Sequence, residues 1–462
     1  MAAGPTQDDP LLVLTNRLPF AIQRTGDGFE RRHAAGGLAS ALEPVLRKRG
    51  GTWIGWPGIE LRRGEQLDLR GAPYRICPVP LSENEIARYY HGLSNRLLWP
   101  MLHSLVERAS FDRRAWSVYR EVNKRFAHLA LAHIERETDL VWVHDYHLML
   151  TPQYLRRRLS KARIAFFLHV PFPPFDVFRA IPWARELLRG LLACDLVGFH
   201  TDSYARNFLD CVEQLMRVEV DHEARRVRSD GHETRVGAFP IGIDYDAFES
   251  RAPHDSAAPP PRVRTIVGAD RLDYTKGIPQ RILAFERLLE KHPEHRERVV
   301  LLQIAVPSRN QVSEYRALKR EIEELVGRVN GRFGTSTWSP IQYLYRTLDP
   351  DRLAVLYRDA DVALVTPLRD GMNLVAKEFV ACQTADPGVL VLSRLAGAAE
   401  TMREALLVNP YDLERTADQL QRALVMPEAE RRSRLDALQE RERANDVNAW
   451  VASFLEAAAP QA

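Results

Sequence analysis

The chain reads as an α/β protein built from two doubly wound domains, each a mostly parallel sheet with helices on both faces. Two observations predict this. Short runs rich in Val, Ile and Leu alternate with longer segments of helical period from end to end, as parallel strands joined by crossover helices require. A stretch rich in Pro, Ala and Ser, SRAPHDSAAPPP at residues 250–261, interrupts that rhythm once and cannot continue a sheet. The expected organisation is therefore a first domain at 1–249, a linker at 250–261, a second domain at 262–444 and a closing helical segment at 445–462. In that segment Trp450 and Phe454 share one helical face, a seam suited to packing back on the first domain. Doubly wound sheets bind ligands beyond the carboxyl ends of their strands, so the predicted active site is the cleft between the two domains.

The strands expected in the first domain are Leu11–Thr15, Leu140–Val143, Ile164–Leu168, Leu196–Phe199 and Arg235–Phe239, with helices over Leu38–Arg49, Trp116–Glu135 and Trp183–Leu192. In the second they are Arg264–Gly268, Val299–Ala305, Gln342–Tyr345, Val362–Thr366, Gly388–Leu392 and Leu406–Val408.

Composition narrows the function. A length of 462 residues suits two or three domains, and 45% hydrophobic with 27% charged residues is the balance of a globular chain. The formal charge is only +3, so no global field draws the protein to nucleic acid or to an anionic membrane; phosphate binding needs locally gathered cations. Cys77, Cys194, Cys211 and Cys382 are scattered, form no CxxC pair and predict neither a disulfide framework nor a zinc site. The N-terminus MAAGPTQDDP is polar, without the pattern of a signal peptide, and no run is long and apolar enough to span a bilayer. A soluble cytoplasmic protein is expected.

Polar residues just after the strands are the candidates for chemistry. Arg17 follows the first strand, where a guanidinium can clamp a phosphate with paired donors; taken alone it reads equally as a surface arginine. Gly36-Gly37 precedes a helix and lets backbone N–H groups approach a diphosphate, although most glycine pairs are turns and the G-x-G-x-x-G spacing is absent. His144-Asp145-Tyr146-His147 follows a strand, and Asp145 can accept hydrogen bonds from sugar hydroxyls or take a proton; the spacing matches no familiar zinc motif. His169 ends the strand of FFLHVPFPP, a position where a structural histidine is the commoner outcome. Arg271 and Lys276, five apart in a turn opening into a helix, suit a diphosphate leaving group and would do what a divalent metal does elsewhere. Asp370, at the mouth of DGMNLVAKE, and Glu378 further into that helix offer one carboxylate for sugar hydroxyls and one for a ribose diol. Asp244-Tyr245-Asp246 has the D-x-D form of a manganese chelate but reads as a turn near the linker, so no metal is expected.

NRLP, AAGGLASAL, VWVHDYHLML, FFLHVPFPP, RLDYTKGIPQR and TPLRDGMNLVAKEFV, in this order, together resemble the trehalose-6-phosphate synthase family, from about Leu11 to Trp450. SNRLLWP, FPIGID and VLVLSRLAGAAE support the match. The resemblance implies a GT-B fold of two Rossmann-like domains, no metal and no cofactor. It also implies retaining transfer of glucose from UDP-glucose, or another nucleotide glucose, to glucose 6-phosphate, giving α,α-trehalose 6-phosphate. Carried over, it places Gly36, Gly37, Arg271 and Lys276 on the donor diphosphate and Leu374, Val375, Ala376, Lys377 and Glu378 on the nucleotide. Asp370 would hold the transferred glucose, with His169 beside it. Arg17, Tyr90 and Arg309 would grip the acceptor phosphate, Asp145 the acceptor hydroxyls, and Trp56 and Trp99 would shape the sugar pocket. The implied route is front-face, with the departing phosphate oxygen taking the acceptor's proton; Asp145 as a nucleophile is the alternative. Members of the family often assemble as homo-oligomers, but no stripe in this chain marks an interface.

Leu348 stands where the resemblance implies an aromatic residue near the base in some relatives, which leaves the preferred base open. The segment 19–33 is long and is assigned no role. No paired-Asp phosphatase motif follows the second domain, so dephosphorylation is expected to fall to another protein. Two other functions fit the same frame. One is a transferase acting on glycerol 3-phosphate or a related acceptor; the other is an inactive sugar-phosphate sensor.

Overall fold

The computed structural model describes residues 11–459 apart from 26–27, 34–36, 62–64, 66, 68, 70, 135, 137–138, 253–262, 309–312 and 385. Gly36, Arg309 and linker residues 253–261 lie outside the described residues. The chain divides into two compact units, residues 1–240 with 450–462, and residues 241–449.

The first unit carries a nine-stranded sheet. Its strands run in the spatial order Arg75–Pro78, Gly51–Trp56, Leu11–Arg17, Leu140–His144, Arg163–Phe167, Leu196–Phe199, His232–Ala238, Arg226–Ser229 and Glu219–Asp221. All pairings through His232–Ala238 are parallel; the last two strands are antiparallel additions at one edge. The central strands are buried almost throughout, which is why they read as continuous apolar runs. Chain order reverses between Leu11–Arg17 and Leu140–His144, and in a doubly wound sheet such a switch point opens the ligand crevice. The segment 19–33 is an antiparallel hairpin, Phe20–Thr25 paired with Gly28–His33.

The second unit has a six-stranded, wholly parallel sheet. Its order is Ile341–Leu344, Val299–Val306, Arg264–Arg271, Val362–Val365, Val389–Ser393 and Leu406–Val408. Its switch point lies between Arg264–Arg271 and Val362–Val365.

The units part at Pro240, ahead of the linker composition on which the sequence boundary rested. Ile243 and Tyr245 are the reason: they are buried with Ala381 in a core of the second unit, and Phe248 packs against them. Asp244 accepts the N–H of Ala247 at 3.1 Å and caps the helix Tyr245–Arg251, so this carboxylate of the D-x-D triplet serves a helix end. The helix Val447–Ala457 returns the chain to the first unit. There Phe454 stacks on Trp142 at 4.5 Å and Trp450 meets Phe167 edge-on at 5.1 Å. Among the described residues no helix is long and apolar enough to cross a membrane.

Candidate active site

Each switch point gathers polar residues. In the first unit Arg17 ends its strand and lays its guanidinium 4.0 Å from the Trp56 ring and 5.1 Å from the Tyr90 ring. Trp56 and Tyr90 meet edge-on at 5.4 Å. Two faces of π density fix the cation while its N–H edge stays available to an anion. Trp56 is itself fixed by donating Nε1–H to the Ile59 carbonyl at 2.9 Å. Gly58, at φ +92°, makes the clasp possible, because a Cβ there would sit 2.0 Å from Arg17 Nη1. Tyr90 rides on a wide π-helix, Ile86–Leu98, whose end is marked by the Trp99 N–H reaching back to the Ser94 carbonyl. Such i→i+5 turns are uncommon and concentrate at functional sites. The neighbouring Tyr89 hydroxyl donates to Asn16 Oδ1 at 3.0 Å, tying this helix to the first strand.

Asp145 follows the adjoining strand at φ 71° and ψ 166°, a region costly for any residue but glycine. Three bonds hold it there. Its N–H donates to the Phe167 carbonyl at 2.8 Å, its own carbonyl accepts from the Leu148 N–H at 3.1 Å, and Oδ1 accepts the His169 N–H at 3.3 Å. The structure thus brings Asp145 and His169 into direct contact. His147 lies between Asp145 and the Arg17 clasp, its ring stacked on Tyr90 at 5.9 Å and its Nδ1 3.8 Å from Asp145 Oδ2. Trp99 packs on Tyr146, the residue after Asp145, at 5.8 Å. Gly37 begins the helix Gly37–Arg49.

In the second unit Arg271 ends its strand with an exposed side chain. Lys276 lies in a single 3₁₀ turn, Tyr274–Lys276, closed by Gly277 at φ +63°, where a Cβ would lie 2.1 Å from the Thr366 carbonyl oxygen. The Lys276 ammonium is 2.5 Å from Asp370 Oδ2, and Asn373 Nδ2 donates to the same oxygen at 3.0 Å. Asn373, at φ 79°, also caps the helix Leu374–Cys382 by accepting the Ala376 N–H at 3.2 Å. Strained polar residues, Asp145 and Asn373, therefore mark the loops at both switch points. Beneath the second loop Arg281 is wholly buried, bonded to Asp270 at 2.6 Å and to Gln303 and Thr366 at 3.1 Å each, and braces the sheet's carboxyl end.

The remaining donor candidates differ from one another. Leu374 and Val375 open the helix, so their N–H groups face its N-terminal end, while the Ala376 N–H is taken by Asn373. The Lys377 side chain is 2% exposed and paired with Glu442 at 2.7 Å. It turns into the unit's interior, so its ammonium is committed to a structural ion pair and not to a ligand. Glu378 sits beside Tyr357. Burial pushes its carboxyl up to about 7, against the Tyr357 hydroxyl, and the negative charge of Asp270 adds to the rise. Leu348 lies half-buried in the loop before the helix Pro350–Arg358. Asn16, His147, Asn373 and Arg281 lie within motifs read from the sequence but were given no role of their own there, and Gly58 and Tyr89 lie outside those motifs.

Residues 9–459 match glycosyltransferase family 20. The chain belongs to that family. It is 44% identical to the bifunctional trehalose-6-phosphate synthase/phosphatase of Thermoproteus tenax over 96% of this chain and 63% of that protein, so it spans less than two thirds of that relative's length. Solved structures of the family match it along nearly the whole chain. An E. coli structure with UDP-2-fluoro glucose bound has TM-score 0.89 at 39% identity, covering 97% of this chain and 98% of that one. The UDP-forming α,α-trehalose-phosphate synthase of Burkholderia xenovorans in complex with glucose 6-phosphate has TM-score 0.88 at 38% identity, covering 97% and 99%. Similarity at this level shows that this chain shares the α/β fold of those structures.

Proposed function

We propose that the chain transfers glucose from UDP-glucose to glucose 6-phosphate with retention, giving α,α-trehalose 6-phosphate and UDP. The observation that carries this reading is the division of chemistry between the two switch points. An aromatic-clasped arginine beside a strained carboxylate suits a phosphorylated sugar. A lysine–aspartate pair, a second arginine and a helix N-terminus suit a nucleoside diphosphate sugar. The relatives' UDP-sugar and glucose 6-phosphate ligands support it.

In the proposed reaction Arg17 and Tyr90 hold the acceptor phosphate and Asp145 orients the acceptor hydroxyl. Arg271 and Lys276 take up the charge that grows on the diphosphate as the C1–O bond breaks. The new C1–O bond forms on the same face, and the acceptor proton passes to the departing phosphate oxygen. The protein then contributes positioning and charge stabilisation. Four free cysteines suit a reducing cytoplasm, where we place the reaction. The test is a panel of nucleotide-glucose donors against glucose 6-phosphate, with the product linkage read by NMR. A 1,1-linked, 6-phosphorylated disaccharide made from UDP-glucose is expected; turnover with glycerol 3-phosphate alone would overturn the assignment.

Two further outcomes follow. Gly58→Ala strains a backbone held at φ +92° and places a methyl group against the Arg17 guanidinium, so the flexible arginine is displaced from its clasp. Losing one charge-assisted contact is expected to raise KM for glucose 6-phosphate by about tenfold or more, with KM for UDP-glucose unchanged in initial-rate measurements. Glu378 supplies the pH dependence. With its carboxyl at about 7, it is largely protonated at pH 6 and ionised at pH 8. The carboxylate offers both oxygens as charged acceptors to the ribose hydroxyls and binds them more strongly than the protonated acid, so KM for the donor falls as pH rises through 7, and Glu378→Gln flattens the profile. Stability runs the other way. The folded carboxyl titrates above its unfolded value, so its contribution is full below about 4.5 and is lost as pH rises through about 7.

A further inference from the structure

Behind His169 lies a feature that the proposed chemistry does not use. Three histidines at the carboxyl ends of three neighbouring strands of the first unit form one cluster. His144 and His200 are 0% and 3% exposed, and the His169 ring lies 5.3 Å from the first and 5.6 Å from the second. His144 Nδ1 is 3.1 Å from His169 Nε2, a hydrogen bond that requires one proton shared between two ring nitrogens. The far nitrogen of the inner ring, His144 Nε2, is buried with no hydrogen-bond partner among the described residues. Trp142 covers this ring at 4.6 Å.

We propose that His144 is a positioning residue that donates Nδ1–H to His169 Nε2 and so fixes His169 as its Nδ1–H tautomer. The two possible proton placements are not equivalent. If His169 donated from Nε2, the His144 proton would sit on Nε2 with no acceptor, and a buried unsatisfied N–H costs about 1–3 kcal/mol. The opposite placement leaves only a bare lone pair on His144 Nε2, the milder defect. Both rings stay neutral: burial holds His144 at about 3, and burial with the two neighbouring imidazoles holds His169 well below its usual value. His169 therefore presents a neutral N–H donor, suited to an uncharged sugar hydroxyl and useless as a base. Its part in turnover rests on the proposed function; its tautomer does not.

The test compares His144→Asn, which keeps an amide donor near the Nδ1 position, with His144→Gln, which moves that donor toward Nε2. Nitrogen-15 NMR of histidine-labelled full-length protein reads the tautomer, thermal unfolding confirms folding, and initial rates give kcat and KM. The wild type is expected to show His169 protonated on Nδ1. His144→Asn should keep that state with near-normal turnover, and His144→Gln should lose it with kcat reduced about tenfold, the worth of one hydrogen bond. Wild-type His169 protonated on Nε2, or equal behaviour of two folded variants, would overturn the proposal. If the wild type shows the expected tautomer but turns over no sugar nucleotide, the functional reading fails while the tautomer assignment stands.

Discussion

Lys276→Ala is expected to lower kcat by about 10²–10³ while the protein stays folded, the scale seen when one preorganised donor is removed from a developing negative charge. The lysine is 9% exposed, on a turn that Gly277 fixes, and its ammonium is already aimed at the loop carrying Asp370. A charge held in place reorganises little when the diphosphate leaves, so its removal is felt in the chemical step more than in binding. Arg271→Ala should have a smaller effect because that side chain is exposed and more strongly screened. UDP release at saturating substrates measures both, with circular dichroism as the check on folding. Full activity in a folded Lys276→Ala protein would remove the lysine from the mechanism.

The second large effect is on stability. Lys377→Met is expected to destabilise the second unit by about 3–5 kcal/mol, because it leaves the Glu442 carboxylate buried without its partner. The two side chains are 2% and 1% exposed and their atoms 2.7 Å apart, so water cannot compensate. The pair ties the helix Leu374–Cys382, which carries Glu378, to the helix Glu428–Ala444. Lys377→Met combined with Glu442→Leu should recover most of the loss, since an apolar pair of similar volume needs no desolvation of charge. Denaturant unfolding followed by tryptophan fluorescence reads the difference. A single variant as stable as wild type would show that solvent reaches Glu442.

Lys377 also shows where sequence reasoning stops. It sits in a motif whose flanking residues read as donor ligands, and nothing local reveals that its partner lies 65 residues further on. The parallel strands were legible because burial on both faces makes them continuous apolar runs, as in Val299–Val306. Gly51–Trp56 and Arg75–Pro78 were not: GTWIGW carries two glycines, and RICP is short and ends in proline at the sheet edge. The hairpin at 20–33 escaped because FERRH is too polar to signal a buried face. Strand-end residues such as Arg17, Asp145, Arg271 and Asp370 could be named because a doubly wound topology directs attention there. The roles of Gly58 and His144 depend on where a guanidinium or a second imidazole lands in space, and no spacing encodes that.

The central claim, that the first unit holds the acceptor and the second the donor, is tested most directly by initial rates of UDP release with both substrates varied, for Arg17→Ala and Glu378→Gln side by side. The expected result is a crossed pattern. Arg17→Ala raises KM for glucose 6-phosphate alone, by about 10–100-fold as befits a lost charge-assisted bond, and Glu378→Gln raises KM for UDP-glucose alone. An Arg17→Ala protein that binds glucose 6-phosphate normally but UDP-glucose poorly would contradict it.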